Sequence, residues 1–200
     1  MPHVETPISE SLDARLAIFR AILDLIAPAP GTAAVDLGCG HCLFMRTAED
    51  FGLSVTGIDA RTERVPPDVM RRGRFLQMRV QDADLSCYGL ILCLGILYHL
   101  MLEDQLSLIG KFRGRCAIVD THYGAEEKVN LTCDGERYAG VIFREGNGLK
   151  SSVGNRESFW PIEPDLVRML GAHHDVLKWM PEHHPGRSFY VMLPRQGACR

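Results

Sequence analysis

The chain has 200 residues, 46% of them hydrophobic, with a formal net charge of -3. That length suits one domain with a sizeable core, and the faintly acidic balance supplies no general field for nucleic acid. No apolar run approaches the ~18 residues of a membrane span. The start, Met1-Pro2-His3-Val4-Glu5, lacks the basic-then-apolar order of a signal peptide. Seven cysteines are scattered along the chain, and only Cys39 and Cys42 have C-x-x-C spacing. Without a second such pair, reduced thiols in a cytoplasmic protein are expected, and no metal.

Residues 1–10 read as a loosely held arm. Over residues 11–27, Leu12, Leu16, Phe19, Leu23 and Ile26 recur at steps of three and four. That is one apolar stripe of an amphipathic helix, stopped by Pro28-Ala29-Pro30-Gly31. Ala33-Ala34-Val35-Asp36-Leu37 then reads as a buried parallel strand leading into Gly38-Cys39-Gly40. Glycines there permit positive φ and let a ligand approach the backbone. A helix follows, carrying Leu43, Phe44 and Ala48. Strand, glycine turn and helix are how an open α/β sheet builds a nucleotide crevice. A dinucleotide fingerprint wants a third glycine, and a phosphate-binding P-loop wants Gly-Lys-Ser/Thr; neither is present.

Residues 53–59 form a second strand ending in Asp59, about twenty residues beyond the glycine turn. A carboxylate at that place accepts hydrogen bonds from both hydroxyls of a ribose. Residues 61–72 are polar and Arg-rich, and read as a solvated helix. A third strand over 74–80 is followed by Gln81-Asp82-Ala83. The apolar run 88–94 is a central strand, buried on both faces, that opens into Gly95-Ile96-Leu97-Tyr98-His99-Leu100. A helix over 103–111 and a fifth strand over 115–120 lead to Thr121-His122-Tyr123.

Residues 124–158 are the least regular, with one apolar island, Val141-Ile142-Phe143, flanked by Gly140, Gly146 and Gly148. They read as a loop or short hairpin inserted over the crevice mouth, a lid with glycine hinges. Ser158-Phe159-Trp160-Pro161 leads into a helix over 163–170. Phe159 and Trp160 either wall a substrate pocket or pack that helix. Residues 175–180 and 188–193 suit a closing antiparallel hairpin. His173-His174 and His183-His184 lack the surrounding ligands that a metal site needs.

Asp36-Leu37-Gly38-Cys39-Gly40, the acid Asp59, the acid Asp82 and the strand order together resemble class I S-adenosylmethionine (SAM) methyltransferases. The resemblance implies an α/β fold with a Rossmann-like, doubly wound, seven-stranded and mostly parallel sheet. A C-terminal antiparallel hairpin closes it, in a single domain over 1–200. It implies SAM as cofactor and S-adenosylhomocysteine (SAH) as product. The cofactor would be held by Asp36, Gly38, Cys39, Gly40, Asp59, Ala60, Gln81, Asp82, Ala83 and Leu94. Asp82 would read the exocyclic amine of adenine. Gly95-Ile96-Leu97-Tyr98-His99-Leu100, Asp120-Thr121-His122 and Ser158-Phe159-Trp160-Pro161 are similar to the branch of tRNA wobble 5-carboxymethoxyuridine synthases and stand-alone bacterial methyltransferases.

The chain departs from that branch at Cys42, where a third glycine would stand, and at Leu100-Met101-Leu102-Glu103-Asp104, where arginines would continue. That removes positive charge wanted by a phosphate backbone. A small-molecule acceptor is therefore expected rather than RNA, with the protein a monomer or homodimer. A hydroxyl acceptor needs a general base, and His99 or His122 is the candidate base or substrate orienter, with Tyr98 shaping the pocket. A non-catalytic SAM-binding module and a tRNA-modifying enzyme are the alternatives. An NAD-dependent oxidoreductase would share Asp59 but not the glycine pattern.

Overall fold

The structure is a computed structural model that describes residues 8–145, 154–179 and 186–195, with side chains from Leu12 onward. Helix α1 (Ile8–Ile26) leads into β1 (Ala33–Leu37), α2 (Leu43–Asp50), β2 (Ser54–Asp59), α3 (Pro67–Arg71) and β3 (Phe75–Gln77). Strand β4 (Leu90–Leu94), α4 (Leu102–Gly110) and β5 (Cys116–His122) follow, then β6 (Val129–Cys133), β7 (Glu136–Arg144) and β8 (Glu157–Pro161). Helix α5 (Glu163–Leu170), β9 (His174–Trp179) and β10 (Arg187–Pro194) end the described chain.

Seven strands form one sheet in the order β3-β2-β1-β4-β5-β10-β9. Strands β1 to β5 pair in parallel, and β10 pairs antiparallel with both β5 and β9. The doubly wound sheet and its terminal hairpin are therefore as expected. The order reverses direction between β1 and β4, so a crevice opens at their carboxyl ends, where open α/β sheets hold ligands. Gly38 follows the first of these strands and Gly95 the second.

Burial explains which residues make these strands. All five residues of β4 are buried, as a strand covered on both faces requires. One core layer packs Phe19, Ile22 and Leu23 of α1 with Met45 and Val55; the other packs Leu108, Phe112, Leu166 and Leu170 on the opposite face. The apolar stripe of α1 is thus a sheet-covering face, with Phe19 edge-on to Phe44 at 5.4 Å between ring centres.

Three local expectations change. The polar stretch 61–72 is helical only over α3, because Pro66 and Pro67 set its start. The third strand is three residues long, since Val80–Asp82 coils into a 3-10 turn. Within 124–158 and on to Pro161, the chain builds a three-stranded antiparallel sheet, β6-β7-β8, in place of a loop or short hairpin. The face that packs on the core buries Tyr138 and Phe159. Gln105 of α4 ties it down, donating to the carbonyls of Leu100 at 2.9 Å and Phe159 at 2.5 Å. Gly140 is no hinge: it lies inside β7, and a Cβ there would stand 2.6 Å from the Phe159 ring. Gly146 and Gly148 lie outside the described residues.

Candidate active site

The first turn is built by short-range geometry. Gly38 and Cys39 both donate backbone N–H to the Ile58 carbonyl, at 2.7 and 3.1 Å, which stitches the end of β1 to β2. Gly38 has φ +70°, and a Cβ on it would stand 3.0 Å from the Ile96 side chain; only glycine meets both conditions without strain. Cys42 ends the turn in the left-handed region at φ 58° and opens α2. The missing third glycine is thus replaced by a cysteine that adopts the conformation a glycine prefers.

Asp59 closes the turn from the other side. One of its carboxylate oxygens accepts from Gly40 N–H at 3.0 Å, and the other from Arg61 N–H at 2.9 Å. A carboxylate has about four acceptor positions, so two remain for a ligand's hydroxyls. Gly38, Gly40, Asp59, Ala60 and Gln81 line a cleft of about 270 Å³, together with Tyr98 and His99. The cleft also takes in Gly95 and Ile96 after β4, Asn155 before β8, and a rim of Arg61, Arg64 and Arg79.

Other expected residues stand elsewhere. Cys39 and Leu94 are buried beneath the cleft. Asp82 and Ala83 face a separate shallow concavity with Lys111 and Arg115. The 3-10 turn is the reason: it points Gln81 into the cleft and Asp82 out to solvent. Gln81 is in turn fixed by donating to Asp104 at 3.0 Å, while Lys111 Nζ bonds the Gln81 and Ala83 carbonyls.

Asp36 is also buried, and its carboxyl is pushed up to about 7, chiefly by burial and further by the charge of Asp59. A hydrogen bond from Met45 N–H and the charge of Arg15 pull the other way. Between about pH 4 and pH 7 the folded state keeps a proton that the unfolded chain has lost, so stability falls as pH rises across that window. The slope from this one group is at most about 1.4 kcal/mol per pH unit. Asp36→Asn is expected to flatten the pH dependence of the urea midpoint between those limits; an unchanged slope would contradict the assignment.

His99 stands in the 3-10 turn Leu97–His99 after β4. Its Nδ1 donates to Glu145 Oε1 at 2.9 Å, and the side chains are 13% and 6% exposed. With Nδ1 engaged by a carboxylate, the neutral imidazole carries its lone pair on Nε2. Asn155 donates to the His99 carbonyl at 3.2 Å. Both partners come from the inserted segment, which therefore reaches the cleft. His122 differs. Arginine has no acceptor, so the 3.0 Å contact between Arg187 and His122 Nε2 is a bond the imidazole accepts. His122 is outside the cleft lining, stacked on Trp160 at 5.0 Å and edge-on to Tyr98 at 4.7 Å. Trp160 is covered on one face by His122 and on the other by Phe143, and its Nε1 donates to the Tyr98 carbonyl. It packs the site from behind, and Phe159 is core.

Behind Tyr98 sits a buried ion cluster that no local pattern announced. Asp120, at the end of β5, is fully buried. Arg187 grips it with two bonds of 2.7 Å, and Arg15 of α1 adds one of 2.8 Å. Burial raises its carboxyl, but the Arg187 and Arg15 bonds and charges outweigh burial and hold it below the ordinary range. As to metals, no group of three or more potential ligand side chains occurs among the described residues. His174 is a core residue whose Nε2 bonds the Phe112 and Arg115 carbonyls, and His183 and His184 lie outside the described residues.

Neither a protein-family model nor a curated protein sequence matches the chain. In three dimensions it is similar to the N-terminal domain of EvdMO1 with SAH bound, with a TM-score of 0.71 and 19% identity over 90% of this chain and 80% of that one. It is also similar to magnesium protoporphyrin IX methyltransferase (ChlM) from Synechocystis PCC 6803 with bound SAM, at 0.64 and 14% over 98% and 86%. A third likeness is to Burkholderia thailandensis 1,6-didemethyltoxoflavin-N1-methyltransferase with bound 1,6-didemethyltoxoflavin and SAH, at 0.59 and 17% over 88% and 76%. The chain therefore has the Rossmann-like fold on which these proteins are built.

Proposed function

We propose that the chain is a SAM-dependent methyltransferase acting on an oxygen or nitrogen nucleophile of a small molecule. The observation that carries this reading is the cleft at the sheet's switch point, where the Gly38–Gly40 turn and the Asp59 carboxylate face one space. The SAM- and SAH-bound neighbours of the same fold support it. Asp59 would hold the ribose hydroxyls, and the turn would let the methionyl arm pass close to the backbone. Val80 and Ile96 offer apolar walls for the base. When bound, SAM supplies a methyl group activated by its sulfonium.

The chain's own residues do the rest. Fixing the acceptor in line with the methyl supplies much of the acceleration. His99 Nε2 takes the proton released by the acceptor, and Glu145 holds the imidazole in the tautomer that allows it. His122 serves as a positioning residue through Tyr98, because its Nε2 is already engaged. A small-molecule acceptor fits the net charge of -3 and the acidic pair Glu103-Asp104 at the start of α4 better than RNA does.

The test is transfer of labelled methyl from SAM into a small-molecule extract and, separately, into bulk tRNA. Label in the small-molecule fraction alone, lost with Asp59→Ala, is the expected result. Label in tRNA would move the reading to RNA modification. SAH binding without transfer to either would leave a binding module.

A further inference from the structure

Residues 60–80 hold six arginines and two acids, Glu63 and Asp68, in a chain whose net charge is -3. Such a local excess draws ligands of the opposite sign. Part of it is neutralised nearby: Arg72 pairs with Asp68 at 3.9 Å and Arg74 with Glu49 at 3.8 Å. Arg64 and Arg79 form no ion pair among the described residues. Both line the cleft.

The topology brings these two arginines together. Arg64 follows β2 and Arg79 follows β3, and the two strands pair in parallel, so their carboxyl ends share one edge of the sheet. Each arginine precedes a valine that is 5% exposed, Val65 and Val80, which pins the backbone and leaves the arginine on the rim. Val65 N–H donates to the Thr62 carbonyl at 3.0 Å, and Met78 N–H to the Asp59 carbonyl at 3.1 Å, so both loops are held locally.

Charge in the cleft does not balance. Arg61, Arg64 and Arg79 line it against one carboxylate, Asp59, which already accepts from the Gly40 and Arg61 N–H groups. SAM would bring its sulfonium charge into the same space. Like charges repel there, so the occupant that completes the site beside SAM is an anion. A phosphate monoester carries about -1.5 to -2 charges and three acceptor oxygens, enough for two guanidinium groups. A carboxylate carries a single charge.

We infer that Arg64 and Arg79 recognise a phosphate group carried by the methyl acceptor. This rests on the proposed SAM cleft and names its acceptor as a phosphorylated small molecule. The two arginines set specificity through binding and take no part in the proton or methyl transfer.

The experiment has two arms, each run on the full chain as wild type, Arg64→Gln/Arg79→Gln and Arg64→Lys/Arg79→Lys. In the first, SAH-saturated protein is titrated with inorganic pyrophosphate by calorimetry at low salt. Wild type is expected to bind saturably, the Gln variant at least ~tenfold more weakly, and the Lys variant in between. Added salt should weaken wild-type binding. In the second, labelled methyl transfer is measured into small-molecule extract, untreated or treated with alkaline phosphatase that is then removed. Phosphatase should lower the label at least ~tenfold, as the arginine contacts are lost. The Gln variant should need at least ~tenfold more extract for half-maximal transfer, with the maximal rate kept within about threefold, the pattern of lost uniform binding. Both side chains are exposed, so the urea midpoint should not move. Indifference of either arm to the Gln variant overturns the site. Arginine-dependent transfer that survives phosphatase overturns the phosphate. Failure of SAH to bind the wild type counts against the SAM reading instead, and the pyrophosphate titration of the free protein then decides the rim alone.

Discussion

His99→Ala is expected to lower kcat for methyl transfer by ~10²–10⁴-fold, the range for loss of a positioned general base. Under the proposed function the loss belongs to kcat, because Nε2 would take the acceptor's proton. SAH affinity should change far less, since Asp59 and the glycine turn are untouched. Glu145→Gln should show a smaller loss in the same direction. The amide still accepts from Nδ1 but no longer stabilises the imidazolium that forms. His122→Ala should weaken turnover through Tyr98 packing. Exogenous imidazole should partly restore His99→Ala and leave His122→Ala unchanged. Equal rescue of both would contradict the division of roles drawn from their Nε2 environments.

Asp120→Asn is expected to destabilise the fold by about 3–5 kcal/mol, the cost of breaking a buried ion pair from one side. Arg187 and Arg15 would remain buried with only an amide between them. The substitution loosens three elements at once, since α1, β5 and β10 meet at this carboxylate. Because the folded carboxyl is held below its ordinary range, its contribution is present above about pH 4 and is lost as pH falls through the folded value. Urea unfolding at neutral pH checks the magnitude. The same series below pH 4 should bring wild type and variant together. A difference under about 1 kcal/mol at neutral pH would show that the cluster is solvated in solution.

What the amino-acid sequence reveals tracks how local each feature is. The β1 turn and Asp59 are legible because each lies at the end of its own strand, and the hydrogen bonds that matter join neighbours of known register. Tyr98 and His99 are legible as residues that follow a buried strand, since the apolar run 88–94 marks β4 and both line the cleft beyond it. Asp82 shows the limit of spacing: a three-residue 3-10 turn decides which of two adjacent side chains enters the cleft. Glu145 carries no local signal, since it meets His99 across 46 residues through a sheet that its Gly- and Asn-rich surroundings disguised. Arg15 and Arg187 meet Asp120 across 105 and 67 residues.

The most direct measurement of the central claim is a side-by-side titration of SAH and NAD against wild type and Asp59→Ala. One-site saturable binding of SAH, weakened at least ~tenfold by loss of the ribose carboxylate, with no saturation by NAD, is the expected result. Tighter binding of NAD than SAH, or SAH affinity indifferent to Asp59, would contradict it.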